Sequence, residues 1–265
     1  MVRFGRVVLF FGTGAYMVGL ILKHSGPSLG YLLLAVLGTI IVSAGIALLI
    51  GYLSLRVKDV YYAMITLAFA ELFAIIAEKW RTVTNGADGF SFRVPEFLAD
   101  RTVFYYVTLA FMVLVVLLVR RFMHSPTGRV LQAIRENEKR AEFLGYHVIR
   151  FKLISTLVAG VVASLAGIAW ALQQRFVSTG AMGTDKTIDA LLMTTIGGTG
   201  TLYGAFIGSG LTNLAREWLA NLAQTYPILE RWYLIFGLLY ILIVLFPGGI
   251  LGFFRGKRAG KGWRR

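Results

Sequence analysis

Apolar residues in this chain come in long, nearly unbroken runs, without the strict alternation of a half-buried strand. A helix needs about 20 mostly apolar residues to cross about 30 Å of hydrocarbon at about 1.5 Å per residue. Tyr31 to Leu55, Val60 to Trp80, Val103 to Val119, Leu153 to Leu172, Gly204 to Leu222 and Trp232 to Phe246 are read as spans on that measure. Val7 to Leu22 and Ile188 to Ile196 are shorter. The second runs straight into Gly197 and Gly198, which predicts a broken or half-spanning helix. The pattern predicts an all-α, polytopic transmembrane helical bundle of seven or eight segments, one of them short or broken. We read one transmembrane domain over residues 1–265, with a surface loop at 122–152 and a basic tail at 255–265.

Composition sharpens this picture. With the 30 glycines counted in and the 12 tyrosines left out, about 64% of the chain is apolar, against about 45–50% for soluble domains. An ordinary soluble domain and a disordered chain are both excluded. Lys and Arg outnumber Asp and Glu by 27 to 13, for a net charge of +14. In a soluble protein that charge would suit nucleic acid. Here the basic residues lie where the apolar runs end, so they set orientation and imply no nucleic-acid partner. Eight segments place Arg3 and Arg6, Arg56 and Lys58, Arg120 to Lys152 and the tail after Phe254 on one face, 18 of the 27 basic residues. By the positive-inside rule that face, with the C-terminus, is cytoplasmic. The opposite face carries Arg81 to Arg101, Gln173 to Thr187 and Tyr226 to Arg231, each too short to make a domain. Arg3 and Arg6 precede an apolar run with no small-x-small cleavage signal after it, so Met1 to Leu22 reads as a retained span.

The most informative polar stretch is Ser125 to Lys152, SPTGRVLQAIRENEKRAEFLGYHVIRFK. Apolar residues at 130, 134, 141, 144 and 148 recur near helical spacing, with Arg129, Arg135, Glu136, Lys139 and Arg140 between them. Ser125 with Pro126 is a helix entry, Gly145 a stop, and Glu136 stands four residues before Arg140, in reach of an ion pair. One or two short amphipathic helices along the membrane surface are expected. The pattern alone suits a basic helix resting on anionic headgroups as well as it suits a docking loop.

Inside the spans, Gly200, Gly204 and Gly208 recur every four residues, and Ala163, Gly167 and Ala171 form a similar ridge. Such ridges let two backbones approach closely. Gly197, Gly198, Gly200 and Gly204 fit plain helix packing, and the functional alternative is a break or hinge at Gly197 and Gly198 beside a solute pathway. Glu71 and Thr66 share one span. An acid at mid-membrane costs about 2.5–3.5 kcal/mol on insertion scales, so Glu71 must face protein or water, in a pathway or bonded to a neighbouring Thr or Tyr. Tyr61, Tyr62, Tyr105, Tyr106, Trp218 and Trp232 are read as interfacial belt residues.

Covalent chemistry finds little to work with. His24, His124 and His147 lie on different loops, no H-E-x-x-H helix occurs, and there is no cysteine for a disulfide, thiolate ligand or nucleophile. No G-x-x-x-x-G-K-[ST] is present, so ATP would have to be used by another subunit. The reading is of a non-enzyme with no cofactor of its own. A membrane enzyme binding an anionic lipid through Glu71 and the basic loop is the rival, and a passive channel or scaffold a third possibility.

The run GRVLQAIRENEKRAEFLGYHVIRFKL is similar to the cytoplasmic loop of LivM-type permeases, membrane subunits of ABC importers for branched-chain amino acids. There the loop corresponds to a coupling segment whose generic form is Glu-Ala-Ala with a Gly six residues after the Glu. Aligned on Gly145, the three positions hold Lys139, Arg140 and Ala141, so only Ala141 and Gly145 match that form. The LivM-like variant, with its Arg-Glu-x-Glu lead-in, fits at Arg135, Glu136 and Glu138. GYLSLRVKDVYYAMITLAFAE (Gly51 to Glu71), IGGTGTLYGAFIG (Ile196 to Gly208) and LFPGGILGFF (Leu245 to Phe254) resemble three further stretches of the family, in its order. The family has a further hydrophobic segment or two before the stretch that FFGTGAYMVG (Phe10 to Gly19) resembles. The start is thus expected to be truncated or misassigned, or the chain to be a reduced variant.

The resemblance implies Arg135, Glu136, Glu138, Ala141 and Gly145 as the coupling loop to an ATPase. It also implies two cytoplasmic ABC ATPase subunits, a second, LivH-type permease subunit, a periplasmic or extracellular substrate-binding protein, and a place in the inner membrane among lipid. The implied mechanism is alternating access, driven by ATP in the partners. Leu, Ile or Val is the implied solute class, with urea, amides and other amino acids carried by relatives.

Overall fold

The computed structural model describes residues 7–54, 59–198 and 202–225, in two compact units, Met1–Thr184 and Asp185–Arg265. Arg3, Arg6, Arg56, Lys58, Gly200, the Trp232 to Phe246 span and the basic tail lie outside the described residues. In the first unit the elements run α1 (Val7–Ser25), α2 (Leu29–Ser54), α3 (Asp59–Lys79), α4 (Arg81–Thr84), β1 (Phe90–Ser91), α5 (Arg101–His124), α6 (Pro126–Glu136), α7 (Glu138–Phe143), α8 (Val148–Gln174) and β2 (Phe176–Val177). In the second they are α9 (Thr184–Gly197), whose first residue closes the first unit, and α10 (Leu202–Thr225).

Four described helices, α1, α2, α5 and α8, are long and apolar enough to cross a membrane. With 21 residues α3 reaches about 31 Å, also a spanning length. The bounds of α5 and α8 lie up to five residues outside the expected ones, because polar ends such as Arg120 to His124 continue the helix to its cap at Ser125, while α3 closes one residue before Trp80. With 14 residues α9 reaches only about 21 Å, as its run into Gly197 and Gly198 predicts.

The core of the first unit is the mutual packing of α1, α2 and α8. Of the apolar window of α1, 61% is buried, whereas in α5 none is, so α1 is the axis and α5 a peripheral helix. Small residues decide the crossing. Gly14 rests on the backbone of Ser164, and Gly167 rests on that of Phe11; a Cβ on either glycine would overlap the facing carbonyl oxygen. The Ala163, Gly167 and Ala171 ridge is thus the seat of α1. The same sorting by size orders α2. Its buried side carries Ala35, Thr39, Ser43, Ala47 and Gly51, while Leu33, Leu34, Leu37, Ile41, Leu48 and Leu49 point away.

The segment between α3 and α5 is more than a short link. Thr84 Oγ1 lies 2.5 Å from the Ala77 carbonyl, in the last turn of α3, and 2.8 Å from the Trp80 carbonyl, sharing its one proton between them. The chain then pairs β1 antiparallel to β2, with Phe90 opposite Val177, and buries Phe90, Phe92, Val94 and Leu98 against the ends of α1 and α8. Arg175 closes this cap by donating from Nη2 to the carbonyl of Ala99 at 3.0 Å. Among the aromatic residues expected at the interface, Tyr61, Tyr105, Tyr106 and Trp218 are exposed. Tyr62 is a correction: it is 1% exposed and belongs to the interior, since a step of about 100° round α3 from the exposed Tyr61 carries its side chain to the packed side. Trp232 lies outside the described residues.

Candidate functional site

The loop between α5 and α8 folds into two helices. Ser125 caps both sides of its turn: its Oγ donates to the carbonyl of Phe122 at 2.6 Å and accepts from the Gly128 amide at 3.2 Å. Pro126 then opens α6 with a φ already suited to a helix. The chain breaks at Asn137, which is extended, and Asn137 Oδ1 caps α7 by accepting from the Arg140 amide at 3.0 Å. This break corrects one expectation. Glu136 and Arg140 lie on different helices, outside the four-residue register of a continuous helix, and Glu138 is the loop acid that is paired, to Lys152 of α8 at 2.5 Å.

Gly145 ends α7 for a specific reason. Its φ is +86°, its amide donates to the Glu142 carbonyl at 2.9 Å, and the Tyr146 amide donates to the Ala141 carbonyl at 3.2 Å. This is the paired closure in which a left-handed residue follows a helix, and it favours glycine. Nothing lies within 4 Å of where a Cβ would stand, so conformation alone selects glycine here. Ala141 is 2% exposed and packs with Ile134 and Val148, with Val130 and Phe151 at the edge, which fixes α6 and α7 on the first turn of α8.

Of the stripe expected to pack, Leu144 departs. It is exposed, as is Phe143 at 90%, because α7 ends there and the turn at Gly145 swings both outward. Arg135 and Glu136, at the end of α6, are exposed as well. The loop therefore presents an apolar pair in a charged surround. The signal in the sequence was a Phe-Leu pair directly before the stop glycine.

The polar residues of α3 separate. Thr66 is buried, whereas Glu71 is exposed on this chain. Five residues apart on one helix, they point well away from each other, and the structure does not bring them together. In the second unit the glycines do meet. Gly197 lies on the backbone of Gly204, Gly208 lies on that of Met193, and a Cβ on Gly197 or on Gly208 would overlap the oxygen it faces. Gly198, at φ +103°, ends α9 by donating its amide to the Thr195 carbonyl at 3.2 Å. Between the same two helices runs an ion pair that the sequence reading missed. Arg216 Nη2 stands 2.5 Å from Asp189 Oδ1 and Nη1 3.2 Å from Oδ2. Its signal was an acid inside the segment Ile188 to Ile196 and a base inside Gly204 to Leu222.

Known proteins place this arrangement. The family described as the permease component of branched-chain amino acid transport systems matches residues 4–245. The high-affinity branched-chain amino acid transport system permease protein LivM of Salmonella typhimurium is 27% identical over 270 residues, 91% of this chain and 62% of that protein. The probable branched-chain amino acid transport permease protein LivM of Methanocaldococcus jannaschii is 24% identical over 272 residues, 92% of this chain and 78% of that one. The autoinducer 2 import system permease protein LsrC of Klebsiella pneumoniae is 37% identical over 108 residues, 38% of this chain and 31% of that one. The chain spans 62% of the length of the Salmonella relative. No solved structure matches it. A match from residue 4 to residue 245, on a bundle of apolar helices with a capped surface loop, means that the chain belongs to the family of branched-chain amino acid transport permease components.

Proposed function

We propose that this chain is a membrane-spanning permease subunit of an ABC importer that moves branched-chain or related amino acids inward by alternating access. The observation that carries this reading is the capped α6–α7 loop, anchored on α8 through Ala141 and the Glu138 to Lys152 pair and presenting Phe143 and Leu144 outward. A loop so tied to a spanning helix passes a push from outside into the bundle. Two ATPase subunits gripping it on the cytoplasmic face would supply that push, and all ATP would be used there. Arg135, Glu136 and Glu138 form the charged margin of the contact, and Ala141 and Gly145 keep its shape. The density of Lys and Arg from Arg120 to Lys152 supports the cytoplasmic placement, and the basic residues after Phe254 support the same side for the C-terminus.

Exposure of Glu71 on a spanning helix supports a second subunit. A carboxylate does not face lipid at that depth, so the Glu71 face of α3 is covered by a LivH-type partner or by the water-filled pathway between the two. Thr66 lies behind it. Gly197 and Gly204 keep two backbones in contact beside the pathway, with Gly198 closing α9. A binding protein on the opposite face delivers the solute. The chain's own work is non-covalent and needs no cofactor. Reconstituted with ATPase, second permease and binding protein, the chain should drive ATP-dependent uptake of Leu, Ile or Val. Uptake without ATP would make it a channel. Lipid turnover lost in Glu71→Gln, with assembly intact, would make it an enzyme.

A further inference from the structure

Within the second unit, α9 is too short to be held in place by crossing the bilayer, so its position depends on what fastens it to α10. The first fastening is the glycine contact, where Gly197 and Gly208 bring the two backbones together next to the break. The second is the Asp189 to Arg216 pair, eight residues from that contact along each helix, about 12 Å at 1.5 Å per residue. It has the two-pronged geometry in which a guanidinium matches both oxygens of a carboxylate. The side chains are only 28% and 30% exposed, in a hairpin otherwise rich in Leu, Ile, Gly and Thr. A carboxylate and a guanidinium in such a setting are held more firmly when they meet in this geometry.

We infer that Asp189 and Arg216 are an ionic clasp that keeps α9 and α10 moving as one body during transport, so that the break at Gly197 and Gly198 is a fixed corner and not a hinge. The inference rests on the permease reading. It assigns positioning roles to two residues outside the coupling loop and outside the α3 polar pair. With both ends of the hairpin fastened, rocking must take place about segments other than this corner. The charges act through each other, so their order along the chain is immaterial while their complementarity is essential.

The chain has no cysteine, so the full-length protein with Ile188→Cys and Leu214→Cys, two exposed positions, carries a clean pair of spin labels in lipid nanodiscs. Asp189→Asn and Arg216→Gln should each broaden the distance distribution. In the assembled importer each should also cut leucine uptake about tenfold, as for a partly buried pair losing one member. The exchanged pair Asp189→Arg with Arg216→Asp should narrow the distribution again and return uptake to within about threefold of wild type. Unchanged distances in the single variants would overturn the clasp. So would an exchanged pair that holds native distances but transports no better than the singles, since the charges would then be meeting the solute and not each other. If wild type takes up no leucine while the distances behave as expected, the solute reading fails and the clasp stands.

Discussion

Replacing Gly167 by Ala tests the claim that backbone contact, and not apolar bulk, sets the α1–α8 crossing. The added Cβ would overlap the carbonyl oxygen of Phe11, a backbone atom that no rotamer change can move. The helices must then back off by on the order of 1 Å, which forfeits a quarter to a half of the dispersion well at each affected contact along the crossing. Overpacking of this kind costs about 1–3 kcal/mol, and the upper half of that range is expected here. Two controls grade the argument. At Gly160 the new Cβ meets the Phe10 ring at 3.0 Å, a side chain that can yield only slightly because it is 1% exposed, so an intermediate loss of about 1 kcal/mol follows. At Gly45 nothing lies within 4 Å, and Ala should be neutral or stabilising by up to about 1 kcal/mol through helix propensity. Thermal unfolding of the three variants in nanodiscs, followed by size exclusion, should rank them Gly45→Ala, Gly160→Ala, Gly167→Ala in decreasing stability. Equal stability of the three variants, or a Gly45→Ala as damaging as Gly167→Ala, would refute the reasoning.

Three further outcomes follow from the loop and the cap. At Gly145 the left-handed backbone makes Val cost about 1–2 kcal/mol and Asn much less; ATPase co-purification should fall with Val and persist with Asn, while the spanning core melts as in wild type. Ala141→Glu buries an unpaired acid between α6, α7 and α8 and should abolish ATPase co-purification. In contrast Glu138→Gln, at a half-exposed ion pair, should change it by less than about 1 kcal/mol. Thr84→Val keeps the shape but removes the donor to Ala77 and Trp80, at about 1–2 kcal/mol, and hydrogen exchange over residues 84–99 should quicken while that of α1 does not.

Much of this protein was legible as sequence because the bilayer imposes length. A run of apolar residues must be a helix when no water is present to satisfy its backbone, which is why α1, α2, α3, α5 and α8 sit within a few residues of their expected ends. The loop was legible too, since Ser125 with Pro126 and the glycine at 145 are local signals that need no distant partner. Outside the Ala163, Gly167 and Ala171 ridge, what the sequence left open is which side of an apolar helix faces inward. In water, hydrophobicity would decide. In lipid, Leu and Ile are as well solvated outside as inside, so the inward side is chosen by how closely backbones can approach. Hence α2, apolar all round, turns Ala35, Thr39, Ser43 and Ala47 to the core, Tyr62 goes inside while Tyr61 stays out, and Leu144 leaves its expected stripe once α7 ends. The Asp189 to Arg216 pair belongs to the same class: neither residue announces its partner 27 positions away, and only the folding of α9 onto α10 brings the charges together.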